Sequence, residues 1–244
     1  MKVLSIGNSF SEDAQRYLHD LGKHNGVSIK AVNLFIGGCS LRMHYLNMLE
    51  RRDAYGFFYN GEPLGLKVTI AEALASDTWD YVTLQQASHL SSKYETYTPY
   101  IEALADYVRT YCPHTKLMIH ETWAYEEGSE RLHKVGGFET ADAMMAAIRD
   151  AYGRAAKAIS ADGIIPSGDA MLLASKTGIE KVHRDCSHAA HGIGRYLLSL
   201  TWYRVLTGRD ITNDTFVPTE AGFTEEERRC AIAAVNKTVD SLAL

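Results

Sequence analysis

Short apolar runs alternate along this chain with longer stretches of helical periodicity. Lys2-Val3-Leu4-Ser5-Ile6 reads as a first strand. Val27 to Phe35, Tyr81-Val82-Thr83-Leu84, Leu117-Met118-Ile119-His120 and Gly163-Ile164-Ile165-Pro166 read as four more. Near-continuous apolar runs of this length suit strands covered on both faces, as in a parallel sheet. Ser11-Glu12-Asp13 opens a helix that runs to about Gly22, with acidic residues in the first turn where the helix dipole favours them. Amphipathic patterns follow at 69–75, 97–111, 140–160, 192–206 and 224–242. The alternation predicts an α/β fold: a three-layer α/β/α sandwich around a mainly parallel, five-stranded, flavodoxin-like sheet, with residues 1–244 as a single domain.

Two stretches interrupt the pattern. Residues 41–66 carry Tyr45, Tyr55, Phe57, Phe58 and Tyr59 with an Asn60-Gly61 turn, and read as an aromatic insertion holding a small hairpin. Residues 122–139 form a long connection with Trp123, Tyr125 and the Gly136-Gly137 pair. Long connections at the carboxyl ends of strands tend to form sites.

Composition narrows the function classes. Of 244 residues, 46% are hydrophobic and 23% charged, which suits a globular chain with a sizeable core. A net charge of −5 gives no basic footprint, so no nucleic-acid partner is expected. No apolar run is long enough to cross a bilayer, so no membrane partner is expected either. The chain starts directly on a strand, without the pattern of a secretory signal. Its four cysteines (Cys39, Cys112, Cys186, Cys230) lack CxxC spacing and read as free thiols, and the expected location is cytoplasmic.

Ligands of open α/β sheets sit beyond the carboxyl ends of the strands, so the polar residues there carry the chemistry. After the first strand comes Gly7-Asn8-Ser9-Phe10-Ser11, where a serine either exposes its hydroxyl beside helix N–H groups or merely caps the helix. After the second comes Gly37-Gly38-Cys39-Ser40, suited to backbone approach or to an ordinary tight turn. After the third comes Gln85-Gln86-Ala87-Ser88-His89. Two amides at that depth need partners, and side-chain alternation lets only one of them face the site. Three readings fit His183-Arg184-Asp185-Cys186-Ser187-His188 and the following His191. Asp185 and His188 supply a base and its orienting carboxylate for a nucleophile; His183, Asp185, His188 and His191 hold a metal; or the segment is structural.

The order of these blocks resembles the SGNH hydrolase superfamily, and more closely a bacterial branch of it catalogued as a family of unknown function. The likeness rests on Ile6-Gly7-Asn8-Ser9-Phe10-Ser11, Ile36-Gly37-Gly38-Cys39-Ser40-Leu41, Thr83-Leu84-Gln85-Gln86-Ala87-Ser88 and His120-Glu121-Thr122-Trp123-Ala124-Tyr125. It ends on Asp185-Cys186-Ser187-His188 with Gly192-Ile193-Gly194-Arg195-Tyr196. The resemblance implies Ser9 as nucleophile, His188 as general base and Asp185 as its orienting carboxylate. It implies an oxyanion hole from the backbone N–H of Ser9 and Gly38. Asn8 stands where the wider superfamily often has aspartate, and Gln85 or Gln86 stands in place of its asparagine, with Gln85 the first choice of donor.

The expected activity is that of a serine esterase acting without cofactor or metal on short-chain, acetyl-type esters. The expected partner is a small-molecule or glycan ester, with Trp123 and Tyr125 as substrate-binding walls. Two other classes fit parts of the sequence: a metal-dependent phosphoesterase built on the 183–191 cluster, and a catalytically silent binding module of the same fold.

Overall fold

The computed structural model describes residues 1–220 and 222–243. The five predicted strands form the parallel body of the sheet: β1 (Lys2–Gly7), β2 (Lys30–Phe35), β5 (Tyr81–Leu84), β6 (Lys116–His120) and β7 (Gly163–Ile165). The sheet has seven strands, not five. The aromatic insertion contributes β3 (Tyr55–Tyr59) and β4 (Glu62–Val68), joined at Asn60-Gly61 and added antiparallel beyond β2. The order is β4-β3-β2-β1-β5-β6-β7. The chain leaves β1 to one side for β2 and returns to the other side for β5, so the topological switch point lies at the carboxyl end of β1.

Helices cover both faces. One face carries α3 (Leu41–Leu49), α4 (Ile70–Ala75), α5 (Tyr100–Tyr111) and α6 (Ala141–Ala158). The other carries α1 (Ser9–Gln15), α2 (Leu18–His24), α7 (Ser167–Lys176), α8 (Ile193–Thr207) and α9 (Glu225–Asp240). Three details depart from the sequence expectation. The first predicted helix is broken in two at residues 16–17, and α3 and α7 occupy stretches with no helix predicted. The second strand starts at Lys30 rather than Val27.

Strand alternation divides the core. Leu4 and Ile6 of β1, with Val32 and Leu34 of β2, point to the α3–α6 face; Val3 and Ala31 point to the other. The α1 side also holds a buried polar ladder. Gln15 donates to Ser5 Oγ (2.6 Å), Thr83 donates to Ser5 Oγ (2.7 Å), and Ser11 donates to Asn33 Oδ1 (2.8 Å). A buried polar residue inside each of β1, β2 and β5 (Ser5, Asn33 and Thr83) therefore faces α1, and the bonds offset the cost of burying it. All four cysteines are free thiols. Among the described residues no helix is long and apolar enough to cross a membrane.

Candidate active site

The site forms where α1 leaves β1. Asn8 is the N-cap of α1: its side chain accepts from the amide of Phe10 (3.0 Å), while its own amide donates to Ser11 Oγ (3.1 Å). Capping thus falls to Asn8 and Ser11, and Ser9, in the first helical position, keeps its hydroxyl for other work. Gly7 is required by the same turn, because a Cβ there would lie 2.0 Å from Ser11 Oγ.

Ser9 Oγ lies 3.0 Å from His188 Nε2. His188 Nδ1 lies 2.9 and 3.0 Å from the two carboxylate oxygens of Asp185. Ser9 and His188 are half-buried and Asp185 is exposed. Burial would raise the Asp185 carboxyl, but the amide and ring of His188 and the amide of Ser187 outweigh it and hold the carboxyl down at about 2. As a carboxylate, Asp185 accepts the proton on Nδ1, so Nε2 presents its lone pair to Ser9. Phe10 packs edge-on to His188 at 5.7 Å and stacks face to face on Trp123 at 4.0 Å, which braces the imidazole from one side.

The two glutamines part company. Gln86 turns away from Ser9: its carbonyl accepts from the amides of Leu41 (3.0 Å) and Ala87 (2.9 Å), and its Nε2 donates to the carbonyl and hydroxyl oxygens of Thr96. Gln85 turns toward the nucleophile turn and donates from Nε2 to Asn8 Oδ1 (2.7 Å), while Asn8 Nδ2 donates to the Cys39 carbonyl (3.1 Å). That last bond ties the glycine turn to the serine turn. Gly38 there has a left-handed φ of +62° and is exposed.

His120, not singled out as a site residue by the sequence reading, sets this amide. Full burial pulls its imidazole down to about 3, so it is neutral. Its Nδ1 lies 2.6 Å from Gln85 Oε1 and its Nε2 lies 3.1 Å from Ser167 Oγ. Gln85 Oε1 only accepts, so Nδ1 carries the proton and Nε2 accepts from Ser167. The Gln85 carbonyl is thereby fixed toward His120, and its N–H₂ toward the nucleophile turn. The sequence signal was a histidine closing an otherwise apolar strand, a depth at which a polar ring needs partners.

Other expectations are corrected. Trp123 and Tyr125 are buried, at 1% and 0% exposure, and do not offer free ring faces. Trp123 donates to the Ser187 carbonyl (2.7 Å), and the Tyr125 hydroxyl meets Ser88 Oγ (3.1 Å). Trp123 thus supports the Asp185–His188 loop from beneath. The metal reading loses its ligand set: buried His183 donates Nε2–H to the Ala124 carbonyl (3.1 Å), and His191 is an exposed residue. Among the described residues no three His, Cys, Asp or Glu side chains gather in a metal-holding group.

A serine turn after β1, a glycine turn after β2, an amide after β5 and an Asp-x-x-His loop before a late helix define the SGNH hydrolase fold. The fold likeness extends to a putative SGNH hydrolase from Slackia heliotrinireducens (TM-score 0.60, 20% identity, 84% of this chain and 98% of that one). It extends also to a psychrotrophic esterase from Pseudoalteromonas sp. whose crystal structure is inhibited by monoethylphosphonate (TM-score 0.54, 12% identity, 85% and 97%). An acetylxylan esterase from Geobacillus stearothermophilus matches at TM-score 0.50 and 16% identity, over 83% of this chain and 92% of that one.

Within that fold class the chain belongs to the family described as domain of unknown function DUF4886, whose model matches residues 2–236. The crystal structure of a DUF4886 family protein from Bacteroides uniformis shares 36% identity and a TM-score of 0.90, over 98% of this chain and 94% of that one. No curated protein matches the chain.

Proposed function

We propose that the protein is a serine esterase that hydrolyses short-chain, acetyl-type esters through an acyl-enzyme on Ser9, with a carbohydrate as the alcohol portion. The observation that carries this is the unbroken Ser9–His188–Asp185 chain, with contacts of 3.0 and 2.9 Å. A serine hydroxyl is a weak nucleophile until a base takes its proton, and the base works from one tautomer only when a carboxylate holds the other nitrogen. Both conditions are met without any side chain having to move.

The reaction follows from these contacts. His188 Nε2 accepts the Ser9 proton as Oγ attacks the ester carbonyl. The negative charge collects on the carbonyl oxygen beside the start of α1, where the Ser9 N–H has no helical partner. The exposed Gly38 N–H and the second hydrogen of Gln85 Nε2 complete the donor set. Protonated His188 then gives its proton to the departing alcohol, and Asp185 stabilises the cation meanwhile. Water, deprotonated by His188, attacks the acyl carbonyl and returns Ser9 Oγ–H and a carboxylic acid. The acetyl and sugar assignments are supported by the exposed Gly37-Gly38 turn, tied through Cys39 to Asn8 next to the half-buried Ser9. They are supported as well by the fold shared with an acetylxylan esterase.

The test is hydrolysis of p-nitrophenyl acetate and a panel of acetylated sugars by wild type and Ser9→Ala, with phosphonate labelling read by mass spectrometry. Expected are a phosphonate adduct on Ser9 and loss of turnover in Ser9→Ala. Turnover that survives Ser9→Ala, or a wild type that neither turns over nor labels, would sink the proposal; the second outcome would favour a silent binding module.

A further inference from the structure

Asp13 lies one helical turn beyond Ser9 on α1, so the two side chains share a face. It is a carboxylate with no exposure at all, yet nothing in the proposed reaction uses it. Its partners all come from the far end of the chain. Arg184 NH1 bonds both of its oxygens at 2.9 Å, Arg195 Nε bonds Oδ1 at 2.8 Å, and the Ala189 amide donates to Oδ2 at 3.2 Å. Arg184 and Ala189 bracket the loop that holds Asp185 and His188. Arg184 also closes that loop on itself, donating from its side chain to the Ala189 carbonyl and from its amide to the His188 carbonyl.

We infer that Asp13 is the positioning residue of the catalytic loop: it clamps both ends of the loop to the helix that carries Ser9, and so sets the Ser9–His188 distance. This rests on the esterase reading above. The base is held to the nucleophile by one 3.0 Å contact, whereas Asp13 holds the loop on either side of the base by three bonds and α8 by a fourth, from Arg195. A buried carboxylate facing two guanidinium groups is fixed in place, because removing either kind of partner leaves an uncompensated buried charge. The clamp also accounts for the most distinctive sequence block. Arg195 supplies one of the two guanidinium groups. Gly194 lets α8 touch the loop, since a Cβ there would lie 2.6 Å from the Val182 carbonyl. Glu220, 3.5 Å from Arg195 NH1, balances the second positive charge.

The experiment compares wild type with Asp13→Asn and Arg184→Gln, following p-nitrophenyl acetate turnover and the rate of Ser9 phosphonylation below the unfolding transition of each. Arg184 is one-quarter exposed, so its variant keeps the question answerable if Asp13→Asn does not fold. A misplacement of the base on the ångström scale costs on the order of 100-fold. The expected result is therefore a 10- to 100-fold fall in kcat and in phosphonylation rate for both variants, with KM within about threefold. A merely structural role would lower the unfolding temperature and leave kcat of the folded protein unchanged. Wild-type kcat and phosphonylation rate in a folded variant, or a loss confined to KM, would overturn the inference. If wild type itself shows no Ser9 adduct, the esterase reading fails and not the clamp alone.

Discussion

At the residue scale, the site is defined less by which polar groups are present than by which of their hydrogen-bonding atoms are already committed. Gln86 has both its carbonyl and its amide nitrogen engaged in joining three loops, so it has nothing left for a substrate. Gln85 has one N–H on Asn8 and its carbonyl on His120, which leaves one hydrogen. Gln85→Ala is therefore expected to lower kcat on p-nitrophenyl acetate by about 10²–10³, the usual cost of an oxyanion donor. Gln86→Ala is expected to lose about 1–3 kcal/mol of stability, with kcat of the folded protein nearly unchanged. The reverse pattern in paired kinetics and denaturant titrations would exchange their roles. His120 is testable in the same way. His120→Asn keeps a side-chain N–H where Nδ1–H donates, whereas His120→Leu lets the Gln85 amide turn over. The leucine variant should lose about tenfold or more in kcat, equivalent to about 1.4 kcal/mol, and the asparagine variant should retain most of it. Equal losses in the two would show that His120 fills space and does not orient Gln85.

At the element scale, the active site is a junction between two ends of the chain, and its quality depends on how closely α1 and α8 approach the catalytic loop. Gly7 shows the tolerance. With Ser11 Oγ seated over it, Gly7→Ala should force the first turn of α1 apart at a cost of about 1–3 kcal/mol and slow Ser9 phosphonylation. Adding Ser11→Ala should recover part of both losses, and a double variant as slow as the single one would refute that steric account. These junctions also explain what was legible in the sequence. The five parallel strands were readable because each is an apolar run of the right length, and Asn60-Gly61 announced the hairpin through its turn chemistry. The Asp185–His188 contact was readable because the two residues lie three apart in one short loop. The clamp was not, because Asp13 and Arg184 are 171 positions apart and an acidic residue beside Glu12 near a helix start reads equally well as a dipole partner. α3 and α7 were missed because α3 lies in an aromatic stretch that reads as a hairpin insertion, and α7 follows the Pro166 that ends the fifth predicted strand. Trp123 and Tyr125, expected as walls, are buried instead: a sequence shows that an aromatic ring follows a strand, not which way its face turns.

At the scale of the whole molecule, ionisable groups are buried on both sides of the sheet, and they make stability depend on pH in opposite directions. His120 and His44 are both fully buried and drawn down to about 3 from an ordinary 6.5. In the unfolded chain they bind protons below about 6.5 that the folded protein refuses. Their contribution is thus present above 6.5 and lost as the pH falls toward 3. Glu121 acts oppositely. Burial, with the nearby negative Asp169 adding to it, pushes its carboxyl from an ordinary 4.5 up to about 8, although the amide of Asp169 at the start of α7 donates to it at 3.2 Å. The unfolded chain releases this proton above 4.5 while the folded protein retains it up to about 8. The stability Glu121 contributes is therefore complete below 4.5 and is lost as pH rises through 8. The molecule should be most stable between these flanks, near mildly acidic to neutral pH. Glu121→Gln keeps the acceptor for the Asp169 amide and removes the proton. Its unfolding temperature relative to wild type is expected to rise steadily from pH 5 to pH 8, with the curves parallel below pH 4.5. Thermal melts of the two proteins across that range decide the matter, since parallel curves throughout would mean that Glu121 is ionised in the folded state and that its burial is compensated by Arg149 and the helix start.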